Sequence, residues 1–270
     1  MGQGRGILWM SSTSRILLRR EPPVLEIVIN RPEVRNAMDR ETRQEIIRAL
    51  DDIEDDPEIR VIILSGQGGK AFSAGADLGM FLELSPREAL EYTRISKGCV
   101  ERISRFPKPV IAKVQGVALG GGLELALACD LIYASPDAKF GQTEVNVGLM
   151  PGAGGTQRLP RAVGARRARE WTYTGRWISA EEAERVGLVN GIFPAAQLDA
   201  AVREVAGTLA AKSPLVLRRI KEALRMAEEL PLSQGLEFES RNFALCFGTE
   251  DLREGIEAFR AKRTPRFQGR

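Results

Sequence analysis

Between residues 15 and 135 the chain passes repeatedly from a short apolar strand pattern, through a polar or glycine-bearing connection, into a helical pattern. That alternation limits the fold to an α/β class. Residues 15–30 read as two strands around Glu21-Pro22-Pro23, and Arg31-Pro32 stops the second. Ile46, Ile47, Leu50 and Ile53 then recur at helical spacing over 39–55, with Asp39 placed to cap the helix, and a strand follows at 60–65. The cycle repeats after the loop GQGGKAFSAGAD, with a helix at 86–104 and a strand at 109–114, and a third begins at ALGGGLELALACDLIYA. Runs such as VIIL are apolar at consecutive positions, which suits a sheet covered on both faces.

Beyond Pro194 the pattern becomes helix after helix, at 197–212, 214–230, 232–247 and 250–261, with Ser213 and Pro214 forming a cap and first turn. This divides the chain near residue 195 into a core, 15–195, and a helical region, 196–270, that either covers the sheet or mediates assembly. Residues 1–14, MGQGRGILWMSSTS, hold one arginine, Arg5, and no acid. They read as a disordered leader, or as an upstream start with Met10 rather than Met1 as the first functional residue.

The chain contains no histidine, which excludes Ser-His-Asp and Cys-His machinery and HExxH zinc sites. Cys99, Cys129 and Cys246 lack the close pairing of a zinc site or a disulfide scaffold. No metal is expected, and a reducing compartment fits, the cytoplasm or alternatively the mitochondrial matrix. With 39 basic and 36 acidic residues, charge is nearly balanced, which disfavours a nucleic-acid partner. Arg158, Arg161, Arg166, Arg167 and Arg169 form the one local basic run that bears on RNA binding. No apolar run reaches the roughly 18 residues of a membrane span.

Proton transfer therefore falls to Asp, Glu, Lys, Tyr, Cys or water. Glu124 lies in the first turn of an otherwise apolar helix opened by Gly120-Gly121-Gly122, whose N–H groups suit an oxyanion. Two readings fit it: a solvated or ion-paired helix-end acid, or a buried catalytic carboxylate. Glu144, in FGQTEV, reads alone as an ordinary loop acid. Ser73-Ala74-Gly75-Ala76-Asp77-Leu78 is another amide-presenting loop, or a plain turn with Asp77 capping the next helix.

In order and spacing, Ser73-Ala74-Gly75-Ala76-Asp77, then Val117-Ala118-Leu119-Gly120-Gly121-Gly122-Leu123-Glu124, then FGQTEV and GLMPGAGGTQRLPR resemble the crotonase (enoyl-CoA hydratase/isomerase) superfamily. The resemblance covers residues 15–270, through Leu188-Val189-Asn190 to Phe259–Phe267. It implies a crotonase-like ββα spiral followed by helices that cover the site and build a trimer, or a dimer of trimers. It also implies an acyl-CoA thioester substrate whose carbonyl is held by the backbone N–H groups of Ala76 and Gly121. Coenzyme A is then part of the substrate and no separate cofactor is needed.

The same resemblance implies hydration of a 2-trans-enoyl-CoA, with Glu124 activating water and Glu144 protonating the α-carbon; an isomerase or a branched-chain (methylglutaconyl-type) hydratase is the alternative. Arg35, Ala37, Ala74, Asp77, Leu78, Gly120 and Lys262 are the implied substrate and CoA contacts, with Arg263 beside the last. Leu78-Gly79-Met80 departs from the pattern by lacking a lysine found there in many relatives.

Overall fold

The structure, a computed structural model, describes residues 14–270, so the expectations for the leader lie almost wholly outside it. The larger of two sheets has strand order β1 (Ile16–Glu21), β2 (Val24–Ile29), β3 (Val61–Gly66), β5 (Val110–Val114), β7 (Leu131–Ala134) and β10 (Gly191–Ile192). Only β1 runs antiparallel to its neighbour. The smaller sheet has order β4 (Ala71–Ser73), β6 (Val117–Leu119), β8 (Lys139–Gly141) and β9 (Ile178–Ser179).

Each of the pairs β3/β4, β5/β6 and β7/β8 places its first strand in the large sheet and its second in the small one. A helix or helical turn follows each pair, which is the ββα spiral expected. Helix α1 (Arg40–Ile53) precedes the first of these turns, and Asp39 caps it by accepting the Thr42 N–H at 2.8 Å. Helix α2 (Pro86–Ser104) starts with a reciprocal Ser85–Glu88 capping box, and α3 (Gly121–Ala126) has only six residues. Helices α4 (Gly155–Val163), α5 (Ala165–Thr174) and α6 (Ala180–Arg185) complete the core region.

Apolar residues of the central strands alternate between two clusters, as two-sided burial requires. Leu25, Ile27, Ile62, Leu64 and Val110 face the cluster with α1 and α2, whereas Val24, Val61, Ile63 and Ile111 face α7 (Ala195–Ala210). Helix α7 meets them with Leu198, Val202, Ala206 and Ala210, spaced four apart on one face. Of the two roles open to the helical region, α7 thus covers the sheet, and one core continues past residue 195. Polar groups on that face are mutually satisfied: Ser65 Oγ donates to Glu26 Oε1 and Lys113 Nζ pairs with it, both at 2.7 Å, while Lys113 also pairs with Asp199 of α7.

Helices α8 (Pro214–Ala227), α9 (Leu232–Cys246) and α10 (Glu250–Arg260) follow. Neither α8 nor α9 has a fully buried residue, and Leu224, Leu232, Phe243, Phe247 and Phe259 are each more than half exposed. Among the described residues, no helix is long and apolar enough to cross a membrane.

Candidate active site

Strands β4 and β6 pair in parallel, so the chains leaving them, Ala74-Gly75-Ala76 and Gly120-Gly121, emerge side by side. They meet at backbone distance. A Cβ on Gly75 would stand 2.8 Å from the Leu119 carbonyl oxygen and 3.2 Å from the Gly121 nitrogen, and Gly75 has φ +100°. The Gly75 turn is anchored from behind: Met38 N–H donates to Gly75 O at 2.7 Å, and Ser73 Oγ donates to Asn36 O and accepts the Gly75 N–H. Among the described residues, neither Ala76 nor Gly121 spends its backbone N–H on an acceptor. With α3 only six residues long, these two local amides matter more than the helix dipole.

They open into a cavity of about 460 Å³, a size typical of small-ligand sites, lined also by Ala74, Leu78, Gly120, Glu124 and Glu144. Glu124 is buried and makes no ion pair among the described residues, so the helix-end reading of a solvated or paired acid does not hold. Its Oε1 accepts two backbone N–H bonds, from Ala153 and Gly155, each at 2.8 Å. Burial pushes its carboxyl above the ordinary value, opposed by those N–H donors and by the Arg43 charge.

Glu144 begins a 3-10 turn, Glu144–Val147, and is half-buried rather than a surface loop acid. Its carboxyl lies over Gly120, where a Cβ would be 3.2 Å from Oε1. Burial pushes it up to about 7, with the Glu124 charge adding to the rise. The fully buried Gln142 amide sits 3.2 Å from both Glu144 oxygens and donates to them when its nitrogen faces the acid. The two glutamates therefore share one poorly hydrated cavity, but Glu124 has the two short fixed donors.

Not every expected contact reaches the cavity. Arg35 is exposed at φ +53° and tethers the Ala74 loop through its carbonyl, which accepts Ala74 N–H at 3.0 Å. Ala37 is buried, its carbonyl accepting from Arg31. Asp77 makes no capping bond to the 3-10 turn Leu78–Glu83, contrary to the plain-turn reading, and faces Arg31 at 3.5 Å instead. Lys262 is exposed beyond α10, and within one chain no residue after 195 lines the cavity. Arg263 is held by Glu254 at 2.6 Å.

Sequence reasoning missed the Ala153 and Gly155 donors, Gln142 and Arg43. Gln142 stands two residues before Glu144 in the motif itself. Arg43 lies three residues before Ile46 and seven before Leu50, so a charge on the apolar face of α1 was the available signal.

Residues 19–270 match the family described as Enoyl-CoA hydratase/isomerase. The chain is 41% identical to the crotonyl-CoA hydratase of Syntrophomonas wolfei, over 93% of this chain and 97% of that one. It is 38% identical to the short-chain-enoyl-CoA hydratase of Clostridium acetobutylicum, covering 93% and 96% respectively. The crystal structure of an enoyl-CoA hydratase from Bacillus anthracis superposes with a TM-score of 0.92 at 38% identity, over 95% of this chain and all of that one.

Proposed function

Since the chain belongs to the enoyl-CoA hydratase/isomerase family and is an enoyl-CoA hydratase, we propose that Glu124 is its base, Glu144 its acid, and the Ala76 and Gly121 N–H groups its oxyanion hole. The observation that carries this division is the asymmetry between the acids. Two N–H bonds favour the ionised form of Glu124, while Glu144, pushed up to about 7, holds its proton near neutrality.

In this mechanism the thioester carbonyl oxygen accepts from both amides, which makes the β-carbon electrophilic and stabilises the enolate charge. Glu124 takes one proton of a water whose oxygen bonds to the β-carbon, and Glu144 gives its proton to the α-carbon. The pair starts and ends with one proton, so the same protonation level serves hydration and dehydration. A short 2-trans-enoyl chain is the proposed substrate, with Ala74, Leu78 and Gly120 against the acyl thioester and Arg35, Ala37, Asp77 and Lys262 on the CoA side.

The test is the pH dependence of kcat/KM for crotonyl-CoA, followed by loss of the enoyl-thioester absorbance. Above about pH 7 the pair loses its shared proton, so the rate is expected to fall. Protonating Glu124 on the acid side gives a second limb and a bell-shaped profile. A rate that stays flat from neutral to strongly alkaline pH would refute Glu144 as the acid.

The exposed apolar side chains of α8 to α10 support a homotrimer, alone or paired into a hexamer. Light scattering is expected to give three or six times 29.7 kDa. A persistent monomer at micromolar concentration would rule this out.

A further inference from the structure

Arg43 occupies an apolar position. It continues the face by which Ile46, Leu50 and Ile53 pack α1 into the core, and it is only 4% exposed. Its Nη1 donates to the carbonyls of Met38 and Asp39. Its Nη2 reaches the cavity, 3.8 Å from where a Cβ on Gly121 would sit. Among the described residues no carboxylate lies within ion-pairing distance of it. A buried guanidinium with no carboxylate in contact is costly even with the Glu124 charge acting on it across the cavity, and an aliphatic side chain would fill this position at no such cost.

A second group in the same cavity is also unspent. The Arg43 guanidinium lies over the Tyr92 ring, 4.9 Å from its centroid, and the buried Tyr92 hydroxyl has no hydrogen-bond partner. Tyr92, Ser96 and Cys99 follow one another at positions i, i+4 and i+7 of α2, on the face that lines the cavity. Ser96 donates back to the Tyr92 carbonyl at 3.0 Å, so the unspent donors are those of Arg43 and Tyr92. The wall around them is largely apolar, formed by Met38, Leu84, Val100, Leu125 and Leu149. Neither Arg43 Nη2 nor the Tyr92 hydroxyl is hydrogen-bonded to the cavity's own carboxylates, so a ligand that brings acceptors would satisfy both. An anion suits a guanidinium best, because two N–H groups can face its two oxygens.

We propose that Arg43 and Tyr92 form a subsite for a carboxylate on the acyl chain, so that the preferred substrate is an enoyl-CoA whose chain ends in a carboxylate. The proposal rests on the hydratase reading. Water adds across the double bond as before, and the terminal carboxylate keeps its bonds and charge throughout. What the subsite adds is selectivity: an unsubstituted chain leaves both donors unpaired, which is the situation that penalises a substrate lacking the expected polar group.

The experiment compares kcat/KM for two chain-matched thioesters, trans-2-hexenoyl-CoA and the mono-CoA thioester of trans-2-hexenedioic acid. The wild-type enzyme is expected to favour the dicarboxylic thioester by at least about tenfold, and Arg43→Leu to lower the dicarboxylic-to-monocarboxylic ratio by about 100-fold. Tyr92→Phe, which removes one hydroxyl, is expected to lower that ratio by about five- to tenfold, and it carries the test if Arg43→Leu fails to fold. An equal loss on both thioesters would overturn the proposal, since Arg43 would then serve Glu124 or the thioester carbonyl rather than the chain end. Calorimetric binding of the two saturated six-carbon thioesters needs no turnover, so it separates this proposal from the hydratase reading. Wild-type inactivity on both enoyl substrates would count against the hydratase reading alone. Equal affinity for the two saturated thioesters would overturn the subsite.

Discussion

Glu124→Gln is expected to lower kcat/KM for crotonyl-CoA by roughly 10²- to 10⁴-fold, the usual contribution of a positioned general base. The amide keeps the shape of the acid, and its oxygen can still accept the Ala153 and Gly155 N–H groups that hold Glu124 Oε1 at 2.8 Å. The loop carrying those amides should therefore stay in place. What is lost is the ability to take a proton from water. Because the charge lies in a buried position, removing it should leave thermal stability unchanged or raised. The enoyl-thioester absorbance assay and a thermal melt on the same preparation check both halves. Retention of most of the hydration rate with the fold intact would show that the base is another group.

The second large effect is expected from Gly75→Ala, which changes no side chain that meets substrate. At φ +100° an alanine is strained, and its Cβ would stand 2.8 Å from the Leu119 carbonyl oxygen. Relief requires the two loops to part, which moves the Ala76 N–H away from Gly121. Losing one oxyanion donor costs about 3–4 kcal/mol, or roughly 10²- to 10³-fold in kcat. Single-turnover and steady-state kinetics should place the loss in kcat, with KM changing little, because the donor matters most as charge develops on the oxygen. A variant with kcat near that of wild type would mean that Gly75 does not set the amide's position.

Much of this molecule was legible in its order of residues. The long elements declare themselves by periodicity and caps: Asp39 opens α1 and Ser213 precedes α8. The strands β4, β6 and β8 did not, because three residues each, AFS, VAL and KFG, are too short to display a period. They form the small sheet from which both amide-bearing loops spring. The glutamates were visible as members of a motif series, yet their local surroundings gave opposite impressions, a helix-end acid and a loop acid.

Residue order and composition alone settle the α/β class, the helical region after residue 194, the exclusion of histidine chemistry, and which two acids and two amides belong to the resembled motifs. Those properties follow from composition and local order, which act over a few residues at a time. The closed fold brings Glu124 against N–H groups 29 and 31 residues away, and lays Glu144 over Gly120 beside Gln142. It alone set the unpaired Arg43 against Tyr92 in the same cavity. Burial and the donors brought in by distant loops fix the protonation of a carboxylate, and neither exists until the chain has closed on itself.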